Sequence, residues 1–155
     1  MIINGISLQK LKIFLRKKSN MGKTASIIVA GGRDFDNYDY MCDSLDSFIE
    51  NLKNEEPEID KIEIISGMAQ GADFLGITYG IKNEDKYNIH VSPCEPKFWM
   101  YGDQAGVMRN VTMAERAKKS DISRLVVFWN HKSKGTKNMI DIATTVSIPV
   151  TIFDY

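Results

Sequence analysis

From residue 24 onward the chain alternates short β-branched runs with longer amphipathic ones, and no other feature constrains its fold as tightly. Ser26-Ile27-Ile28-Val29-Ala30 is apolar at consecutive rather than alternate positions, the mark of a strand covered on both faces, and Gly31-Gly32 stops it. Further strands are expected at Ile62–Ile65, ended by Ser66-Gly67, at Ile89–Val91, at the strongly apolar Arg124–Trp129, and at Ile148–Phe153. Between them, residues 39–53 carry Met41, Leu45, Phe48, Ile49 and Leu52 at helical spacing. Helices are also expected over 71–81, over 107–119 and from Gly135-Thr136 to about Val146, while 93–106, rich in Pro, Gly and aromatics, reads as a long loop. Strands separated by helices of this length imply βαβ crossovers. The expected architecture is α/β: a single Rossmann-like domain, with a mainly parallel sheet of about five or more strands and helices on both faces.

Charge divides the chain unevenly. Residues 1–20 hold five of its 20 Lys and Arg (Lys10, Lys12, Arg16, Lys17, Lys18) and none of its 20 Asp and Glu, which leaves the remainder at −5. Residues 1–22 are therefore set apart as a basic N-terminal extension and 23–155 as the folded domain. In the extension Ile6, Leu8, Leu11, Phe14 and Leu15 fit a short amphipathic helix. Such a helix either packs on its own domain and frays, or touches a membrane surface or an acidic partner. The acidic remainder argues against a general nucleic-acid binder, which needs clustered positive charge. No apolar run approaches the roughly 20 residues that span a bilayer, so no membrane partner is expected. Two cysteines without a pattern and two histidines suggest a reduced, cytoplasmic setting and no metal or other cofactor.

Open parallel sheets bind ligands beyond the carboxyl ends of their strands, and the unusual residues of this chain gather there. The first strand leads into Gly31-Gly32-Arg33-Asp34, the second into Ser66-Gly67-Met68-Ala69-Gln70-Gly71-Ala72-Asp73, and the fourth into His131-Lys132-Ser133-Lys134-Gly135-Thr136. Small residues admit a ligand close to the backbone, and the free N–H groups of a helix's first turn favour an anion. Neither glycine-rich turn is a Walker loop, because no Gly-Lys-Ser/Thr closes it. Arg33 could grip a phosphate with two parallel hydrogen bonds, or pair with Asp34 or Asp36 on the surface. Asp73 could hold a ribose hydroxyl, or simply complement the dipole of its helix. Arg109-Asn110 could contact phosphate and base or sugar, or lie solvated on a helix surface. Phe98, Trp99 and Tyr101 would pack as core or lid, or supply a ring for a base to stack on.

Taken together, these stretches resemble the YspA-type branch of the SLOG superfamily, Rossmann-like proteins related to the LOG phosphoribohydrolases and to the DNA-processing protein DprA. The resemblance rests on Ala30-Gly31-Gly32-Arg33-Asp34-Phe35, Ser66 to Asp73, Ala105-Gly106-Val107-Met108-Arg109-Asn110 with Met113, and Gly135-Thr136 with Asn138-Met139-Ile140. These occur in the family's order and cover residues 26–153. The resemblance implies a nucleotide or nucleotide-derived ligand held between the loops, and domains that self-associate into a homodimer or larger homo-oligomer. Two departures qualify it. Family members commonly carry a Gly-Gly pair shortly before the Gly-Thr, where this chain has His131-Lys132-Ser133-Lys134, so its backbone freedom there is reduced. The glutamate that follows Gly-Thr in the LOG hydrolases is replaced here by Lys137, Asn138 and Met139.

The expected ligand contacts are thus Gly31, Gly32, Arg33, Asp34, Ser66, Gly67, Ala69, Gly71, Asp73, Arg109, Asn110, Gly135 and Thr136. The first reading is a binding or sensor module for a nucleotide-like phosphorylated small molecule. The second is a hydrolase or transferase of the N-glycosidic bond of a nucleoside monophosphate, for which Asp73, Glu115 or Asp103 would supply the missing carboxylate. The third is a DprA-like accessory protein using the basic arm on DNA.

Overall fold

The computed structural model describes residues 2–3, 5–19 and 22–155. At the N-terminus β1 (Ile2–Ile3) pairs antiparallel with β2 (Ile6–Ser7), and α1 (Leu8–Ser19) follows. Ile13, Phe14 and Leu15 on α1 are exposed. The side chains of Arg16, Lys17 and Lys18 lie outside the described part. The domain then runs β3 (Lys23–Gly31), α2 (Tyr38–Glu55), β4 (Ile59–Ser66), α3 (Ala72–Lys82), α4 (Glu84–Tyr87) and β5 (Ile89–Pro93). It continues through α5 (Phe98–Tyr101), a 3₁₀ turn (Gly102–Gln104), α6 (Ala105–Lys118), β6 (Ile122–Trp129), α7 (Lys134–Thr145) and β7 (Val150–Asp154).

Five of the described strands form one sheet in the order β5-β4-β3-β6-β7, and every pairing in it is parallel. The register sets Ile27 opposite Ile64 and Ile28 opposite Leu125. Successive residues of β3 serve opposite faces. Ile27 and Val29 pack with Met41, Leu45 and Ile49 of α2 and Tyr79 of α3. Ile28 and Ala30 pack with Met113 and Ala117 of α6 and Met139 and Ala143 of α7. This is the Rossmann-like α/β architecture expected from the consecutive apolar runs. No described helix is long and apolar enough to cross a membrane.

Helix α3 lies unusually close to the sheet because its inner face, one residue per turn, is Ala72, Gly76 and Gly80. A Cβ on Gly76 would come 2.8 Å from Cγ1 and 3.0 Å from Cβ of Val29, and one on Gly80 would come 2.6 Å from Cγ2 of Val91. That close seating draws the start of α3 against the C-terminal end of β3.

Four segments differ from the sequence expectation. Ile6, expected in the basic amphipathic helix, lies in β2, and α1 starts at Leu8. Residues 93–106 are not a single loop: the Lys97 carbonyl accepts the N–H groups of Met100 and Tyr101, each at 3.0 Å, which closes α5. α6 accordingly begins at Ala105. The short α4 has no counterpart in the sequence reading; it ends in the left-handed Asn88 (φ 53°). β7 starts at Val150 rather than Ile148, because Ser147 turns left-handed (φ 62°) and the Ile148 N–H closes the end of α7 on the Ala143 carbonyl at 2.8 Å.

Replacing Gly76 by valine should force α3 off β3. We expect a loss of about 1–3 kcal/mol, seen as a fall of several degrees in the thermal midpoint.

Candidate ligand-binding cleft

The strand order reverses between β3 and β6, and in an open parallel sheet the crevice beyond such a pair of strand ends is where a ligand fits. A cleft of about 450 Å³ opens there. Of the residues picked out in the sequence, Gly31, Arg33, Asp34, Ala69, Asp73, Arg109, Asn110, Gly135 and Thr136 line it. The other four expected contacts do not line it: Gly32, Ser66 and Gly67 are buried, and Gly71 is half-buried. Glu115 is exposed on α6 and Asp103 is exposed on the 3₁₀ turn, and neither lines the cleft.

The turn after β3 is anchored by Phe35. Only 2% exposed, its ring centroid lies 4.8 Å from that of Phe128 and 5.0 Å from that of Tyr155. With Phe35 fixed in the core, Arg33 and Asp34 are left at the cleft. The Tyr155 hydroxyl donates to Asp34 Oδ1 at 2.6 Å and holds that carboxyl below its ordinary range. Arg33 is exposed and, among the described residues, has no carboxylate within 4.0 Å, so the surface pairing with Asp34 or Asp36 is not formed.

The turn before α3 meets it directly. Gly71 takes φ +79°, and a Cβ there would collide with the carbonyl oxygen of Gly32 and come 2.7 Å from that of Arg33. The Ala72 N–H donates to the same Gly32 oxygen at 3.1 Å. In the first turn of α3, Asp73 is 3% exposed, and its Oδ2 accepts the Ala69 N–H at 3.3 Å. Ser66 Oγ donates to the Asp73 carbonyl at 2.8 Å. Burial pushes the Asp73 carboxyl up to about 6, against the opposing pull of the Arg109 charge, the Ala69 and Gly31 amides and the Arg33 charge. Glycine at 67 makes room for this pair: a Cβ would sit 2.7 Å from Arg109 Nε and 2.8 Å from Asp73 Oδ2.

From the second turn of α6, Arg109 Nη1 donates to the Gly67 carbonyl at 3.0 Å and Nη2 reaches Asn110 Oδ1 at 3.5 Å. Its Nε is buried and has no partner. Asn110, 4% exposed, ties α6 to α7: its Nδ2 donates to Asn138 Oδ1 at 2.8 Å and to the Gly135 carbonyl at 3.4 Å. Its amide group therefore serves the wall of the cleft rather than its opening.

The fourth turn is built by two residues that sequence reasoning did not single out as contacts. Asn130 Oδ1 accepts the N–H groups of Lys132 (2.9 Å) and Ser133 (3.0 Å), and Ser133 caps α7 by accepting the Thr136 N–H at 3.3 Å. A helix start leaves four amides without an intrahelical partner. Here Ser133 and Thr136 find partners, and among the described residues those of Lys134 and Gly135 do not. Asn130, Lys132, Ser133 and Met139 also line the cleft. An Asn directly after a strand, with Ser three residues later and Thr three beyond that, is the signal that could have found this turn. Although the segment lacks glycine, His131 takes the left-handed conformation (φ 61°), held by Asp154 Oδ1 2.6 Å from its Nε2 and by the Trp129 ring at 4.3 Å.

Fold and cleft together define a Rossmann-like α/β domain with a polar, mixed-charge cleft at the switch point of its parallel sheet. No family model matches the chain, and no curated protein or solved structure matches it at a significant level.

Because the folded Asp73 carboxyl titrates near 6 and its unfolded counterpart near 3.8, the native state holds the proton more tightly, and stability falls as pH rises between about 4 and 6. Asp73→Asn should abolish that component. Urea unfolding from pH 4 to 7 should show the variant gaining on the parent chain by up to about 3 kcal/mol, with a level difference above pH 7.

Proposed function

We propose that this domain binds a nucleotide or nucleotide-derived phosphorylated ligand in the switch-point cleft. The observation that carries the reading is the convergence of two guanidinium groups, Arg33 and Arg109, with Gly135, whose helix-start amide has no partner among the described residues, around one cleft. Guanidinium groups match phosphate oxygens in pairs, and helix-terminal amides add a fixed dipole directed at the same charge. Asp73 and Asp34, as acceptors in the same cleft, suit the hydroxyls of a sugar. Gly135 supports the reading further: a Cβ built on it meets no protein atom within 4 Å, so packing does not demand glycine there. In this reading the space above its Cα is kept for the ligand, and the likeness to SLOG domains points to the same ligand class.

Calorimetric titration with nucleoside 5′-monophosphates tests this. Arg33→Ala with Arg109→Ala should weaken binding at least about tenfold, each lost charged hydrogen bond being worth about 1.5–3 kcal/mol. Gly135→Val should weaken it comparably while leaving stability within about 0.5 kcal/mol of the parent. Undiminished affinity in both variants would defeat the reading.

A second reading, cleavage of the N-glycosidic bond, is favoured by Asp73: a buried carboxyl in the cleft, titrating near neutrality, can hold a proton to hand to a departing base. Water would add at C1′ as the C1′–N bond breaks. Chromatography for free base after incubation with nucleoside monophosphates should then show release that Asp73→Asn lowers at least about a hundredfold; no release by the parent chain would leave binding alone.

A further inference from the structure

Beside the main cleft, between the end of β5, α5 and α6, lies a second cavity of about 260 Å³ whose walls include Trp99, Tyr101, Met108, Arg109 and Arg116. Arg109 belongs to the walls of both spaces. We propose that this second cavity receives the aromatic base of the ligand whose phosphate sits in the main cleft, with Trp99 as its stacking face; this rests on the binding reading above.

Three observations carry it. First, α5 consists of four large apolar residues, Phe98-Trp99-Met100-Tyr101, and none is buried. Trp99 is 79% exposed and Tyr101 39%, so the fold itself does not use these rings. Second, the backbone that carries the rings is tied: the two N–H bonds to the Lys97 carbonyl hold the turn shut, and α6 follows after one 3₁₀ turn. Third, the charge of the cavity suits a neutral planar group better than a second phosphate. Arg116 Nη1 is engaged by Ser92 Oγ at 2.8 Å and the Pro93 carbonyl at 3.2 Å, and the exposed Glu95 and Lys97 offset each other. Beside the buried Cys94 and the Thr112 hydroxyl, which donates to the Met108 carbonyl, what remains is an indole, a phenol, a thioether and the guanidinium of Arg109, the surroundings in which a heterocycle stacks with little regard to which base it is.

The test compares a nucleoside 5′-monophosphate with ribose 5-phosphate, which lacks the base, in the full chain and its Trp99→Ala and Trp99→Phe variants. The parent should bind the nucleotide more tightly than the sugar phosphate. Trp99→Ala should lower nucleotide affinity about tenfold or more and leave ribose 5-phosphate unchanged, and Trp99→Phe should retain most of the difference. If Trp99→Ala binds both probes as the parent does, the base subsite is wrong while the phosphate cleft stands, provided Arg33→Ala with Arg109→Ala still weakens ribose 5-phosphate binding at least about tenfold. A change of assembly state in sedimentation, with both affinities unaltered, would make α5 a contact between copies and overturn the proposal equally. Failure of the parent to bind either probe would remove the cleft reading along with it.

Discussion

The hydrogen bond from the Ala72 amide to the Gly32 carbonyl, 3.1 Å long, joins two turns far apart in the chain, and the rest of the cleft is arranged around it. It forms only because α3 rides close to β3 on Ala72, Gly76 and Gly80, and because Gly71 can take a positive φ where a side chain would strike the Gly32 oxygen. With the two turns locked and Phe35 buried against Phe128, Arg33 and Asp34 are held at the cleft. Asp73 is carried into the same space by the first turn of α3. Further ties continue the circuit: the Gly67 carbonyl to Arg109, and Asn110 to the Gly135 carbonyl. Each tie joins a backbone group of one turn to the next, so the turns are held to one another around the cleft.

The fold was legible because a sheet covered on both faces writes its strands as consecutive β-branched residues, and Ile27-Ile28-Val29 leaves no other comfortable conformation. The cleft was legible through its glycines, since Gly31, Gly67 and Gly71 are demanded by close approach and positive φ, which local sequence reports directly. The turn after β6 was harder. His131 is left-handed through contacts to Asp154 and Trp129, one of them at the far end of the chain, and no local rule predicts φ +61° for a histidine between Asn and Lys. Helix α5 escaped for a related reason: Pro96 and Gly102 bracket five aromatic or flexible residues, a composition that argues for loop, and the deciding bonds to Lys97 are made by backbone alone.

The positions where the chain departs from what stability alone would choose are not scattered. Four non-glycine residues adopt positive φ among those described. Two of them, Asn88 and Ser147, end helices, where a left-handed residue is ordinary. The other two, Met68 and His131, sit in turns that follow strands at the carboxyl edge of the sheet. The carboxyl of Asp73, raised to about 6 by burial, and the partnerless Nε of Arg109 belong to that same edge. A left-handed non-glycine residue costs about 1 kcal/mol, and an unsatisfied buried donor about 1–3 kcal/mol. Chance would spread such costs over both ends of the strands. Their concentration at the carboxyl edge of the sheet, beside the cleft, supports the proposed reading, in which part of the stability is given up to hold charged groups for a ligand.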